Sequence, residues 1–179
     1  MMNSIKLDII TGKDKEVFCS MFNLYHHDPV CMKLSLFPVV DEKGFYDYTA
    51  IEEYFLPDNK DKVTLYIVRY ENHPAGFIVL TKPPFVKKGC DYCVHEFFIT
   101  GNLRGAGIAG QTCEALFNLH PGRYSLLVIQ ENVVAKAFWK KTVEKAGHDI
   151  EIYDNENGDI TYIFSIELDS GHRQLSQRS

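Results

Sequence analysis

The chain has 179 residues and a net charge of −5, with 45% hydrophobic and 24% charged residues, the balance of one globular domain able to bury a core without disulfide or metal staples. No basic block offers the phosphate-neutralising footprint that nucleic acid needs, and no apolar run is long enough to span a membrane, so neither partner is expected. The residues Met1–Lys6 lack a basic stretch followed by an apolar core, and the odd set Cys19, Cys31, Cys90, Cys93 and Cys113 has no disulfide framework; both observations fit a reducing cytoplasmic compartment.

In chain order, Ile5–Ile10 alternates as a short strand, and Asp14–His27 carries Val17, Phe18, Met21, Phe22 and Tyr25 at helical spacing. A second helix is expected over Tyr46–Phe55, stopped by Pro57. Val63–Tyr70 and Ala75–Thr81 form a hairpin around Glu71-Asn72-His73-Pro74, and Tyr92–Thr100 is a further strand. An amphipathic helix Gly105–Leu119 follows, then strand Tyr124–Ile129 and helix Val133–Ala146. Strands Ile150–Tyr153 and Ile160–Leu168 close the series, with Asn155–Gly158 as the turn between them. The order βααβββαβαββ specifies a single mixed α/β domain over residues 1–168, and the polar residues 169–179 are expected to form a disordered tail.

Gly105-Ala106-Gly107-Ile108-Ala109-Gly110 follows a strand and opens a helix. Glycines let the backbone approach an oxygen-rich group, and the unpaired amides of a helix N-terminus point at it with the dipole behind them, so a pyrophosphate is the natural guest. The string also matches the dinucleotide fingerprint G-x-G-x-x-G, and Glu131 lies where that motif wants a ribose-binding acid. A nicotinamide oxidoreductase is therefore one reading. Against it, four strands and two helices precede the motif and an antiparallel pair ends the chain.

Arg104-Gly105-Ala106-Gly107-Ile108-Ala109 resembles the Arg/Gln-x-x-Gly-x-Gly/Ala loop of the GNAT superfamily of N-acetyltransferases. Asn132-Val133-Val134-Ala135-Lys136-Ala137-Phe138-Trp139 resembles that family's second element, Asn-x-x-Ala-x-x-Phe-Tyr, at the start of the following helix. The element order is also that of the family, so the resemblance covers nearly the whole chain. It implies a GNAT-like fold, acetyl-CoA as acetyl donor, and transfer to a primary amine of a small molecule by direct attack. It further implies a bulged strand before the loop that splays from its neighbour. Backbone groups of Phe98 and Ile99 would meet the acetyl-pantetheine end, and the amides of Arg104 through Ala109 would hold the pyrophosphate. Asn132 would contact the pantetheine arm beside the small Ala135, although its position equally suits a helix N-cap.

Trp139 stands where many relatives carry the tyrosine that protonates the departing thiolate, and an indole cannot supply that proton near neutral pH. Another tyrosine or water would have to serve, or the protein is a catalytically silent acetyl-CoA-binding module acting through a protein partner. Glu96 and His95 are the candidate bases. As neighbours on one strand they are expected to face opposite sides of the sheet, and a glutamate in an apolar strand has its pKa raised by burial. Tyr25 and Asp28, in the cluster Tyr25-His26-His27-Asp28, are candidate acceptor-binding residues; the alternative is a solvated helix end whose histidines favour the C-terminal dipole. The aromatics Phe45, Tyr46, Tyr48, Tyr54 and Phe55 are expected in the core. Cys90-Asp91-Tyr92-Cys93 with His95 lacks a second ligand pair, so no metal is expected. Lys136, Lys140, Lys141 and Lys145 make a solvated face with one lysine able to reach a cofactor phosphate. Dimers are common among such enzymes, which leaves a homodimer open.

Overall fold

The computed structural model describes residues 5–27, 40–44, 46 and 49–167. Asp28, Phe45, Tyr48 and the segment 169–179 lie outside the described residues, so the expectations on them are not met by any observation.

Seven strands form one sheet in the spatial order β1-β2-β3-β4-β5-β7-β6. They are β1 (Ile5–Ile9), β2 (Val63–Tyr70), β3 (His73–Thr81), β4 (Tyr92–Ile99), β5 (Gly122–Val128), β6 (His148–Asp154) and β7 (Ile160–Ile166). The described α-helices are α1 (Lys15–His26), α2 (Thr49–Tyr54), α3 (Ile108–Leu119) and α4 (Val133–Ala146). Every neighbouring pair of strands is antiparallel except β4 and β5. A dinucleotide fold needs a parallel series, so this topology rules it out for the glycine string.

Two apolar clusters sit on opposite faces of the sheet. On one face Phe18, Met21 and Phe22 of α1 and Ile51 of α2 close over Leu65, Ile67, Phe77, Val79 and Phe98. On the other, Ile108, Leu116 and Phe117 of α3 and Trp139 and Val143 of α4 pack on Val68, Ile78, Val94, Tyr124, Leu126 and Phe164. The period-2 alternation along β2, β3 and β5 assigns each side chain to a face, and the 3.6-residue stripes of α1 and α3 supply the covers.

The structure shortens or moves several expected elements. The β2–β3 turn is two residues long, with Glu71 at φ 51° and Asn72 at φ 65°, so His73 and Pro74 belong to the strand. The described part of the second helix begins at Thr49, and Tyr46 instead pairs with Val40 in an isolated bridge. The third helix begins at Ile108 because Gly105 (φ 81°) and Gly107 (φ 79°) are left-handed and shape the turn that precedes it. β5 begins at Gly122, two residues before the expected start at Tyr124.

Candidate active site

β4 runs from Tyr92 to Ile99, yet it pairs with β5 only at Tyr92↔Tyr124 and Cys93↔Ser125. Beyond those two rungs the strands part, and the edge of Val94–Ile99 that faces β5 has no strand partner. Backbone amides and carbonyls along such an edge need partners when they are covered, which suits a ligand with amides of its own. A bulge lies in the same stretch: Val79 pairs with Glu96 and Leu80 with Val94, so His95 is the extra residue.

That bulge corrects the expectation for the two candidate bases. Val94 and Phe97 join the α3–α4 face, while His95 and Glu96 both turn to the α1–α2 face. The His95 ring meets Tyr54 of α2 edge-on with centroids 6.1 Å apart. The Tyr25 hydroxyl of α1 donates a hydrogen bond to the Glu96 carboxylate. Burial raises the Glu96 pKa to about 7, against the opposing pull of that hydrogen bond. His95 has an open rim, but the neighbours crowding its other side lower its pKa, so it is neutral at pH 7. Burial raises the Tyr54 phenol and keeps it protonated.

At the end of α1, Tyr25 is half-buried, His26 only 8% exposed and His27 exposed. The His26 ring packs 4.4 Å from the Phe22 ring, and burial lowers its pKa to about 4. The expectation of a histidine charged by the helix dipole is thus overturned for His26, because desolvation outweighs a dipole effect of at most about 2 kcal/mol. Tyr46 and Tyr54 border this corner, and Phe55 packs edge-on against Phe18 within the core.

Past β4, the Arg104 Nε donates to the Ile99 carbonyl at 2.9 Å, and its guanidinium lies 5.6 Å from the Phe98 ring centre. These contacts pin the loop to the strand end. Ala106 is exposed, and a side-chain carbon at Gly105 would meet nothing within 4 Å, so the loop's outer surface is open to a ligand. The first bond from α3 back to the loop is Gln111 N to Gly107 O at 3.1 Å, which leaves the amides of Ile108, Ala109 and Gly110 without an intrahelical acceptor. Amides aimed outward from an open glycine turn fit a pyrophosphate.

Asn132 caps α4: its Oδ1 accepts from the Ala135 amide at 2.9 Å. Ala135 is half-buried against the core. Trp139 is 6% exposed and packs edge-on against Phe97 and Phe138, while Phe138 stacks on Phe97 at 5.7 Å. The indole thus backs the β4 wall of the cleft. Lys136 donates to the Gly158 carbonyl at 2.9 Å, so it ties α4 to the β6–β7 turn, and Lys140 sits 3.9 Å from Glu144 on the solvated side. Among the described residues, no group of three or more metal-ligating side chains gathers, and no helix is long and apolar enough to cross a membrane.

Sequence reasoning missed Tyr25's bond to Glu96 and the shared face of His95 and Glu96. The bulge that creates both is a difference of one residue in strand pairing, which no side-chain pattern announces.

Two parallel strands that part beside a glycine turn with free helix amides make an arrangement suited to a long, thin ligand carrying phosphates at one end. The profile of the Acetyltransferase (GNAT) family matches residues 21–143. The chain belongs to that family and is an acetyl-CoA-dependent N-acetyltransferase. Among solved structures it is similar to an acetyltransferase from Thermus thermophilus, at 15% identity over 93% of this chain and 100% of that one, with TM-score 0.67. It is also similar to AAC(6')-Ib in complex with ribostamycin and coenzyme A (15%, 99% and 98%, TM-score 0.61). A third is Arabidopsis thaliana Naa50 in complex with the bisubstrate analogue CoA-Ac-MVNAL (19%, 92% and 99%, TM-score 0.51). At such identities the likeness is one of fold. No curated protein sequence matches the chain.

Proposed function

We propose that this acetyltransferase acts on the primary amine of a small molecule, with Glu96 as general base. The observation that carries the reading is Glu96 itself: a carboxyl on the acceptor face beside the parting of β4 and β5, held by Tyr25, with a pKa of about 7. A base works best with its pKa near the working pH, because it is then both ionised and basic enough to take a proton.

Bound acetyl-CoA supplies an activated thioester. The amides of the loop Arg104-Gly105-Ala106-Gly107-Ile108-Ala109 hold its pyrophosphate. The open β4 edge at Phe98 and Ile99 receives the acetyl-pantetheine end, and Asn132 contributes its Nδ2, since its Oδ1 is engaged in the helix cap. Ala135 leaves room beside it, and Trp139 stiffens the wall by backing Phe97. On the acceptor side, Glu96 removes a proton from the ammonium and Tyr25 orients the carboxylate. His95, neutral and open at its rim, is the second base. Asp28, two residues past the end of α1 in the sequence, joins Tyr25 in holding the acceptor. Trp139 provides no proton for the thiolate; the phenols gathered near Glu96, Tyr25 and Tyr54, are the candidates for that role. Residues 1–168 act as one domain in the cytoplasm, and a homodimer is compatible with this arrangement.

Glu96→Gln keeps the shape and removes the base. The expected outcome is a fall in kcat of about 10²–10⁴-fold with acetyl-CoA binding retained, read by amine-dependent thiol release. Unchanged turnover in that variant would remove Glu96 from the role. The silent-module alternative rests on Trp139 alone, and any amine-dependent thiol release above background contradicts it.

A further inference from the structure

The α1–α2 face of the sheet is covered unevenly. The buried residues packed beneath α1 and α2 come from β2, β3 and β4, and none comes from β5, β6 or β7. Over β5 and β7 lies instead the connection between β3 and β4, anchored where the Thr81 Oγ1 donates to the Phe85 carbonyl at 3.1 Å. Between this connection and the sheet is a cavity of about 210 Å³, lined among others by Phe85, Cys93, Ser125, Leu127 and Thr161. Phe85 is 49% exposed and Leu127 53%, large apolar side chains held half-open at one spot.

The two hydroxyls of the lining are already engaged within the protein. Ser125 Oγ donates to the Tyr92 carbonyl at 3.5 Å, and Thr161 Oγ1 accepts from Asn155 Nδ2 at 3.2 Å. Apart from the Lys87 ammonium, what the cavity offers a guest is therefore mainly apolar surface. A cavity of about 150 Å³ lined by aliphatic and aromatic groups suffices for a benzene ring, so this one has room for a ring-sized body.

Strand register ties the cavity to the acceptor site. Cys93 and Ser125 form the last rung before β4 and β5 part. The bulge at His95 absorbs one residue, so Glu96 stands two rungs beyond Cys93, level with Leu127, which stands two beyond Ser125. By register, Glu96 and Leu127 thus stand at the same level on the two parting strands and on the same side of the sheet.

We infer that this trough is the acceptor's second anchor: the substrate is a primary amine on an alkyl or aromatic body, with the body against Phe85 and Leu127 and the amine at Glu96. The inference rests on the role proposed above for Glu96. A polyamine would set a second ammonium against Phe85, Leu127 and the cationic Lys87 at the lining, losing its hydration without gaining a counter-charge. A sugar would press most of its hydroxyls against Phe85 and Leu127, which offer no hydrogen bonds.

The test is steady-state acetylation of 2-phenylethylamine, spermidine, glucosamine and a peptide beginning with Met, by the wild-type protein and by Phe85→Ser and Leu127→Ser. Both replaced side chains are half-exposed, and the melting temperature of each variant checks its fold. The expected result is a kcat/KM for 2-phenylethylamine at least about tenfold above the other three acceptors, with its KM raised about tenfold in either variant. KM for acetyl-CoA stays unchanged. A preference for spermidine, glucosamine or the peptide, or an unmoved KM in both variants, overturns the trough while leaving the acetyltransferase reading intact. Failure of every amine to release CoA overturns both.

Discussion

Two titrating side chains that each neighbour Tyr25 move in opposite directions, and each has a measurable signature. Glu96 has its pKa raised from 4.5 to about 7, so the folded state holds this proton where the unfolded chain has lost it. Its contribution to stability is present at acid pH and is lost as pH rises from about 4.5 through about 7. In catalysis the same proton must leave, so kcat/KM for an amine is expected to rise with an inflection near pH 7 that is absent in Glu96→Gln. A pH–rate profile with the same inflection in both proteins would contradict this. His26 has its pKa lowered from 6.5 to about 4, so between those values the unfolded chain binds the extra proton. Stability is therefore expected to fall as pH falls from about 6.5 to about 4, and His26→Phe, which keeps a ring against Phe22, should flatten that fall. Urea unfolding across this range measures it.

At the scale of elements, one close approach holds the cleft wall in place. A side-chain carbon on Gly76 of β3 would sit 2.0 Å from the Phe98 carbonyl oxygen of β4. Only glycine lets the two backbones pack at that distance beside the edge proposed to receive the acetyl end. Gly76→Ala is expected to cost about 1–3 kcal/mol in urea unfolding, because a strand rather than a flexible side chain has to move. A change of less than half that range would mean that β4 yields easily. The helix α4 was legible to the residue, because Asn132 reads as a cap, Gly147 as a stop, and the stripe between them is helical. The strand β4 was legible as a strand from its apolar run. Its bulge was not, since Val94-His95-Glu96-Phe97 satisfies plain alternation equally well and only the pairing to Val79 and Leu80 places the extra residue. The turn before α3 was readable, because its left-handed backbone at Gly105 and Gly107 forces glycines into the sequence. At the other end of the candidate site, Tyr25 stood out only as part of a polar cluster. Its bond to Glu96, the Tyr54–His95 contact and the pairing of Phe85 with Leu127 join separate segments that no local structure demands.

For the molecule as a whole, a largely antiparallel sheet with one parallel pair is what turns a stable sandwich into a binding protein. Both faces are packed, yet β4 and β5 stay paired for only two rungs, and beyond them the facing backbone edge of β4 has no strand partner. The loop, base and trough proposed above would all serve a ligand held at that parting. The central claim is that acetyl-CoA enters there and is gripped through the left-handed turn at Gly107, where φ is 79° and a branched residue is strained. The direct measurement is the thermal shift of the wild-type protein and of Gly107→Val with acetyl-CoA and with NADH, each far above its expected dissociation constant. A ligand that binds only the folded state adds about 2.7 kcal/mol at a hundredfold excess over Kd. The expected result is a clear rise for the wild type with acetyl-CoA, none with NADH, and none for a folded Gly107→Val with either. An equal rise in the variant, or a rise with NADH, would contradict the claim.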